Sequence, residues 1–116
     1  MEKVIIYHNP RWGKSRNSVG ILDEKNIDYI IVKYIENPLS IDELKNLAQK
    51  LNLRPKDFIR KGEEAFKKLN LSSNLDNDDF LFDAMSKFPK LMERPIIVNG
   101  DKACIGRPPK NILEII

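Results

Sequence analysis

The length, composition and charge of the chain exclude several classes of protein. At 116 residues it is long enough to bury the core of one compact α/β domain and too short for two. With 41% apolar and 32% charged residues, no bilayer-length apolar run and no cleavable signal pattern, we expect a soluble, cytoplasmic protein without membrane contacts. The net charge of +3 comes from scattered cations, which favours an ordinary solvated surface over a direct nucleic-acid interface.

The first third of the chain has the pattern of a βαβ unit. Residues 3–7 and 29–34 are short runs rich in β-branched and aromatic side chains, which are typical of strands. Residues 14–25 lie between them and carry Val19 and Leu22 at helical spacing.

A mainly helical insert is predicted over about residues 38–90. Ser40 and Glu43 have the spacing of a capping box, which predicts that a helix begins here. One apolar stripe follows along this helix, made of Ile41, Leu44, Leu47, Ala48 and Leu51. Three further helices are predicted: a short one from Pro55 through Ile59, one over 63–69, and one that begins at Asp78 or Asp79 and ends at Pro89.

The chain then returns to strands and finishes with a helix. Residues 95–98 and 102–105 are predicted to form a hairpin around the turn at Asn99, Gly100 and Asp101. A last helix is expected to begin at Pro108 and Pro109. Its apolar positions are Ile112, Ile115 and Ile116.

The order β-α-β, helical insert, β-β-α is that of the thioredoxin-like fold, an α/β fold with a mixed four-stranded sheet. We expect residues 1–116 to form a single domain of this kind. Its chemistry is expected where the first strand leads into the first helix, because unpaired backbone N–H groups there attract anions. The stretch "YHNPRWGKSRNS", residues 7–18, occupies that place. We expect Arg11 and Lys14 to be exposed cations within it, and Arg16 either pairs with a carboxylate or contacts a ligand.

The counts of cysteine and histidine limit the chemistry further. Cys104 is the one cysteine and His8 the one histidine, so an internal disulfide is excluded and no metal site is expected. Cys104 lies in a predicted strand between Ala103 and Ile105, where a lone cysteine is usually a small buried hydrophobe. A displaced catalytic thiol is the alternative.

A set of motifs along nearly the whole chain resembles one known family. In order they are "YHNP", "GKSRN", "FIRKGEEAFKKLNL", "LMERPIIV" and "IGRPPKNILEI". They resemble the glutaredoxin-dependent arsenate reductases and their relatives, the Spx transcriptional regulators. In the reductases a cysteine after the His-Asn-Pro corner attacks arsenate, and three arginines hold the oxyanion. The resemblance places those arginines at Arg60, Arg94 and Arg107.

The resemblance also shows what the chain lacks. The family's nucleophilic cysteine falls at Trp12, and the second cysteine of Spx-like members falls at Ser15. An indole cannot supply the thiolate that this chemistry needs, so no catalytic residue is assigned. No cofactor is expected, and glutathione with glutaredoxin would be the co-reductant only if reductase activity persists. The fold further predicts a cis bond between Arg94 and Pro95.

Several side chains keep two interpretations. His8 either tunes or hydrogen-bonds an anion, or it ties the loop down. Ser15 either donates to an anion or caps the helix, and capping is favoured. Trp12 either covers the helix N-terminus and fills the anion volume, which is favoured, or stays exposed as an anchor for a partner protein. Its ring can also stack with a cation.

Two classes of function follow. The first is an arsenate-reductase-family protein that keeps an oxyanion site formed by His8, Ser15 and the three arginines but has lost the nucleophile. Its ligand would be arsenate, phosphate or sulfate. The second is an Spx-like regulatory module that binds a protein partner such as RNA polymerase.

Overall fold

The computed structural model describes residues 3–9 and 11–116, without the side chain of Lys14. Pro10 of the predicted Asn-Pro corner lies outside the described residues. The described chain divides into two compact units: one contains the residues up to Asn37 together with Arg94–Ile116, and the other is Pro38–Glu93. Each unit is considered by itself here, and the single domain over residues 1–116 with its insert stays a prediction.

A mixed four-stranded sheet forms the centre of the first unit, as predicted. Its strands are β1 (Val4–Tyr7), β2 (Tyr29–Val32), β3 (Ile96–Asn99) and β4 (Lys102–Ile105). Their order across the sheet is β2-β1-β3-β4, in which β1 and β2 are parallel and the other two pairs are antiparallel. The second strand ends two residues before the predicted boundary, because the chain turns after Lys33: the carbonyl of Lys33 accepts from the N–H groups of Glu36 and Asn37.

Helix α1 (Gly13–Glu24) connects the two parallel strands and packs against the sheet. The last helix of the chain is a 3₁₀ helix over Pro109–Glu114, and it lies beside α1. The apolar face of the sheet and these two helices enclose one core cluster, made of Val4, Ile6, Leu22, Ile97 and Ile112. Burial of this cluster fixes the start of α1 at the end of β1.

The predicted hairpin turn lies between β3 and β4. Asn99 pairs with Lys102 across it, and Gly100 has a φ of +61°. That left-handed conformation is open to glycine without a steric cost, which is why the sequence signal was reliable.

The second unit contains helices α2 (Ile41–Leu51), α3 (Glu64–Lys68) and α4 (Asp78–Lys87). The predicted capping box is present: the Glu43 N–H donates to the Ser40 Oγ over 3.1 Å, and the Ser40 N–H donates to a Glu43 carboxylate oxygen over 3.1 Å. Helix α4 begins where predicted, but Asn77 is its cap, accepting from the Phe80 N–H over 3.2 Å. The remaining helical segments are 3₁₀ turns over Pro55–Asp57, Leu71–Asn74 and Pro89–Leu91.

One feature of the second unit was not predicted. Ile59 and Met92 form an isolated antiparallel bridge, and the Glu93 N–H donates to the Phe58 carbonyl over 2.9 Å. The helical insert therefore closes on itself through a short extended contact. Single apolar residues next to prolines carry no period that would reveal such a bridge.

Two further observations concern the whole described chain. The Arg94–Pro95 bond is cis, which confirms the prediction, and the Arg107–Pro108 bond is also cis, which was not predicted. Within residues 3–9 and 11–116, no helix is long and apolar enough to cross a membrane.

Candidate functional site

The site begins at the buried histidine that follows β1. His8 is 6% exposed, and its backbone N–H donates to the Val32 carbonyl over 2.9 Å, so the backbone ties this point of the loop to β2. Burial, followed by the charges of Lys33 and Arg16, lowers the pKa of His8 below its ordinary value, so the ring is neutral at pH 7. Its Nδ1 atom is buried and has no hydrogen-bond partner among the described atoms.

Asn9 organises the loop that follows. Its carbonyl accepts from the Trp12 N–H over 3.1 Å, its Oδ1 accepts from the Arg11 N–H over 3.2 Å, and its own N–H donates to the Ser15 Oγ over 3.4 Å. These bonds turn the chain from β1 into α1. The sequence analysis missed this role, although an asparagine that bonds its own backbone two residues on is a known turn signal.

Ser15 does not cap the helix in the way predicted. It is the third residue of α1, it is fully buried, and its Oγ accepts from the loop instead of from a helix N–H. Trp12 occupies the cap position and provides no side-chain bond to the helix. The N–H groups of the first turn therefore have no intrahelical partner, and no acidic side chain lies in that turn.

Trp12 stacks against an arginine. The guanidinium carbon of Arg94 lies 3.8 Å from the centroid of the indole ring, within the range of a cation–π contact. Arg94 is 6% exposed, whereas Trp12 is 49% exposed. One face of the indole is thus covered from within the protein, while about half of the residue remains open. Neither the covering role nor the anchoring role describes this position fully.

Close packing behind the loop positions Arg94. The Gly106 N–H donates to the Pro95 carbonyl over 2.8 Å. A Cβ atom at Gly106 would lie 2.8 Å from the Ser18 Oγ and 2.9 Å from the Pro95 Cγ. Only glycine allows the chain after β4 to approach both α1 and the cis-proline this closely. The sequence analysis quoted Gly106 within a motif but assigned it no role.

Arg107 follows this glycine and is exposed. Its carbonyl accepts from the Asn111 side-chain amide over 3.3 Å, which holds the start of the last helix. Arg11 is exposed as predicted, and the side chain of Lys14 lies outside the described residues.

Arg60 belongs to the second unit and lies between two carboxylates. Its Nε donates to Glu63 over 3.2 Å, and one terminal nitrogen donates to Glu93 over 3.1 Å. The Arg60 N–H also donates to the Leu91 carbonyl over 2.7 Å, so the backbone holds the residue in place. The predicted convergence of the three arginines stays a prediction.

Cys104 is in a poor environment for a nucleophile. It lies on β4 opposite Ile97 and packs against the core cluster of the first unit. Burial, together with the nearby charge of Glu114, raises the pKa of its thiol to about 11. At neutral pH the thiol is protonated, as expected for a small hydrophobic side chain. In the described part of the chain, no group of three His, Cys, Asp or Glu side chains is placed to hold a metal ion.

Comparison with known proteins agrees with this geometry. The sequence model of the ArsC family matches residues 7–115. The chain belongs to the ArsC family. An arsenate reductase of Haemophilus influenzae is 46% identical over 115 residues, which cover 97% of this chain and 98% of the relative. An arsenate reductase of Neisseria meningitidis serogroup A is 39% identical over 118 residues, which cover 100% of both chains.

Solved structures of the family share the fold. An arsenate reductase from Vibrio cholerae superposes with a TM-score of 0.94 at 44% identity, over 98% of both chains. The predicted thioredoxin-like α/β fold is thereby confirmed. The relation to Spx regulators stays a prediction.

Proposed function

We propose that this ArsC-family protein binds a small tetrahedral oxyanion, such as arsenate, phosphate or sulfate, and does not reduce it through a thiol. One observation carries the proposal: Trp12, which the resemblance aligns with the family's nucleophile, is the cap residue of α1 and stacks on Arg94 at 3.8 Å. The residue at the head of the helix is therefore an indole in contact with one of the arginines assigned to the anion.

The missing step is nucleophilic attack on the oxyanion. That attack needs a thiolate, and neither Trp12 nor Ser15 can supply one. Cys104 has a pKa of about 11, so only about one thiol in 10⁴ is ionised at pH 7. Without the first covalent bond, a co-reductant such as glutathione with glutaredoxin has no mixed disulfide to resolve.

The case for anion binding rests on three features of the first unit. The first turn of α1 presents backbone N–H groups with no acidic side chain near them, and such a terminus favours negative charge. His8 has a buried Nδ1 without a partner among the described atoms. Arg94 lies beside the loop, and a guanidinium is the side chain best matched to a tetrahedral oxyanion.

A thermal-shift titration tests the binding. The unfolding temperature of the full chain is expected to rise with arsenate, phosphate or sulfate and to stay constant with chloride at equal ionic strength. Arg94→Ala is expected to remove the rise. Lys25→Ala removes an exposed cation at the other end of α1 and serves as the matched control. An equal response of both variants would reject a specific site.

An activity assay tests the missing reduction separately. With arsenate, glutathione and glutaredoxin, the wild-type chain is expected to produce no arsenite. If it does, and Cys104→Ser abolishes the activity, then the nucleophile has moved to β4 and the proposal is wrong.

The second candidate is the Spx-like protein-binding module, and one observation favours it. Trp12 is 49% exposed next to a cationic loop, and aromatic side chains in such positions often anchor partners. Purified RNA polymerase is the partner to test in a pull-down with wild type and Trp12→Ala. Capture that depends on Trp12 would support this function, and capture of neither chain would reject it.

A further inference from the structure

The outer edge of β2 offers unpaired backbone groups. Among the described strands β2 pairs with β1 alone. The Asp28 carbonyl accepts from the Val4 N–H over 3.2 Å, and the Val32 carbonyl accepts from the His8 N–H over 2.9 Å. Because backbone groups alternate in direction along a strand, the N–H and C=O groups of Tyr29 and Ile31 point away from β1. None of the hydrogen bonds within residues 3–9 and 11–116 ends on these four outward groups.

The side chains of this edge are apolar on both faces of the sheet. Ile30 is 48% exposed and Ile31 is 41% exposed, and neighbouring residues of a strand point to opposite faces. Proteins usually protect a free edge with a charge, a proline or a bulge. The strand Tyr29–Val32 contains none of these. Its edge is therefore suited to accept another strand.

The charges at the two ends of β2 select the partner and its direction. Asp28 precedes the strand and Lys33 follows it; both are exposed, and neither forms an ion pair with another described residue. An antiparallel second copy would place Asp28 near the partner's Lys33 twice, whereas a parallel copy would place like charges together. We propose that two copies of this chain associate through an antiparallel pairing of their β2 edges, around a two-fold axis.

The hydrogen-bond geometry also selects the register. A two-fold axis perpendicular to the sheet must pass through a residue that faces itself, and only Tyr29 and Ile31 have both outward groups available. An axis at Ile30 pairs Tyr29 with the partner's Ile31 and forms four N–H···O bonds. An axis at Ile31 would require the Lys33 carbonyl, which already accepts from the Glu36 and Asn37 N–H groups over 3.1 and 2.9 Å. The axis therefore passes through Ile30.

This pairing makes one continuous sheet of eight strands from two copies. Ile30 meets the partner's Ile30 on one face, in a non-hydrogen-bonded pair whose side chains approach closely. Four residues per copy form a contact smaller than the roughly 1,200–2,000 Å² of stable interfaces. The dimer is accordingly weak and forms at high protein concentration.

Sedimentation velocity of the full chain over a concentration series tests the association. Wild type is expected to shift from monomer to dimer, and Ile31→Pro is expected to stay monomeric at the highest concentration. That proline removes an outward N–H and leaves the bonds to β1 in place, as is tolerated on edge strands. Leu113→Ser is the control, because it removes a similarly exposed apolar side chain away from this edge. A wild type that stays monomeric, or a dimer that survives Ile31→Pro, would overturn the proposal.

Two further variant sets test the direction and the register. Asp28→Lys and Lys33→Asp are each expected to weaken the dimer, and the double variant is expected to restore it. In a Cys104→Ser background, Ile30→Cys is expected to give a disulfide-linked dimer with diamide as oxidant, while Ile31→Cys is not, because it faces the partner's Tyr29. Equal cross-linking at both positions would contradict the axis at Ile30. Binding of an unrelated extended peptide to a chain that stays monomeric would contradict the second copy as the occupant.

Discussion

Positions 12 and 104 contrast a suitable environment with a suitable side chain. The cap position of α1 has free helix N–H groups and cations nearby, which lower the pKa of a thiol, but the residue there is Trp12. Strand β4 carries the thiol Cys104, but its burial raises the pKa to about 11. Thiol catalysis needs the nucleophile and the activating charges at one place, and this chain keeps them apart.

The contrast separates the inheritance of a scaffold from the inheritance of an activity. The strand order, the cis-proline and Gly106 all serve the geometry of the loop, and none of them depends on the identity of residue 12. A family match over residues 7–115 therefore carries the fold further than it carries the reaction.

Restoring a thiol to the activating position should produce the largest effect. Trp12→Cys in a Cys104→Ser background is expected to react with iodoacetamide at pH 7 about 10³-fold faster than Cys104 of wild type. The reason is that a thiol at a helix N-terminus has a pKa of about 3.5–7.5 and is largely ionised, which outweighs its lower intrinsic nucleophilicity. The alkylation rate followed by mass spectrometry measures this.

The same variant sharpens the functional question. Measurable glutaredoxin-coupled arsenate reduction by Trp12→Cys would show that the scaffold still supports the family reaction. An alkylation rate no higher than that of Cys104 would contradict the environment assigned to position 12.

Disturbing the packing behind the loop should have the next largest effect. Gly106→Ala is expected to lower the free energy of unfolding by about 1–3 kcal/mol, because the new methyl group overpacks the Ser18 and Pro95 contacts. Urea unfolding followed by circular dichroism measures the change. Gly20→Ala is the control: no atom lies within 4 Å of its Cβ position, and the change is expected to stabilise α1. A loss of the same size in both variants would reject the packing argument.

Removing the stacked ring should have a smaller effect. Trp12→Ala is expected to lower the free energy of unfolding by about 0.5–1 kcal/mol through loss of the cation–π contact. Trp12→Phe keeps a ring and is expected to lose less. Trp12 is the one tryptophan, so the emission wavelength of wild type against Arg94→Ala reports the contact directly. An unchanged emission spectrum would mean that the two side chains are not stacked in solution.

The smallest effect concerns pH. The pKa of His8 is lower in the folded chain than its ordinary value of 6.5, so the unfolded chain binds the proton more readily. The stability is therefore complete above about pH 6.5 and decreases as the pH falls toward the folded pKa. Urea midpoints measured between about pH 7.5 and 5 are expected to fall for wild type and to fall less for His8→Gln. Parallel pH profiles for the two chains would show that His8 is not the titrating group.

Much of the fold could be predicted from local signals. The capping box at Ser40 and Glu43, the Asn99-Gly100 turn and the alternation of strands with helices are set by side chains within a few residues of each other. The boundaries of β2 and of the last helix were less accurate, because both depend on where the chain turns and on what it packs against. The Ile59–Met92 bridge joins residues 33 positions apart, and no local pattern encodes it.

The candidate site was predicted in its members more than in its contacts. The motifs pointed to His8, Trp12 and Arg94, but not to the stacking of the arginine on the indole, since cations closer in sequence were equally available. Ser15 was expected to cap the helix and instead bonds the Asn9 N–H, because the chain turns back at Asn9 before the helix begins.

The sequence by itself determined the element order, the single thiol in a strand and the absence of a thiol at positions 12 and 15, because these follow from residue identity and local spacing. The tertiary structure decided the rest. It buried His8 and Cys104 and so moved the pKa of each in the direction of its neutral form, it placed Arg94 on Trp12, and it left the Tyr29–Val32 edge without a neighbouring strand among the described residues. Burial and pairing between distant segments depend on the packed chain, which no short stretch of residues specifies.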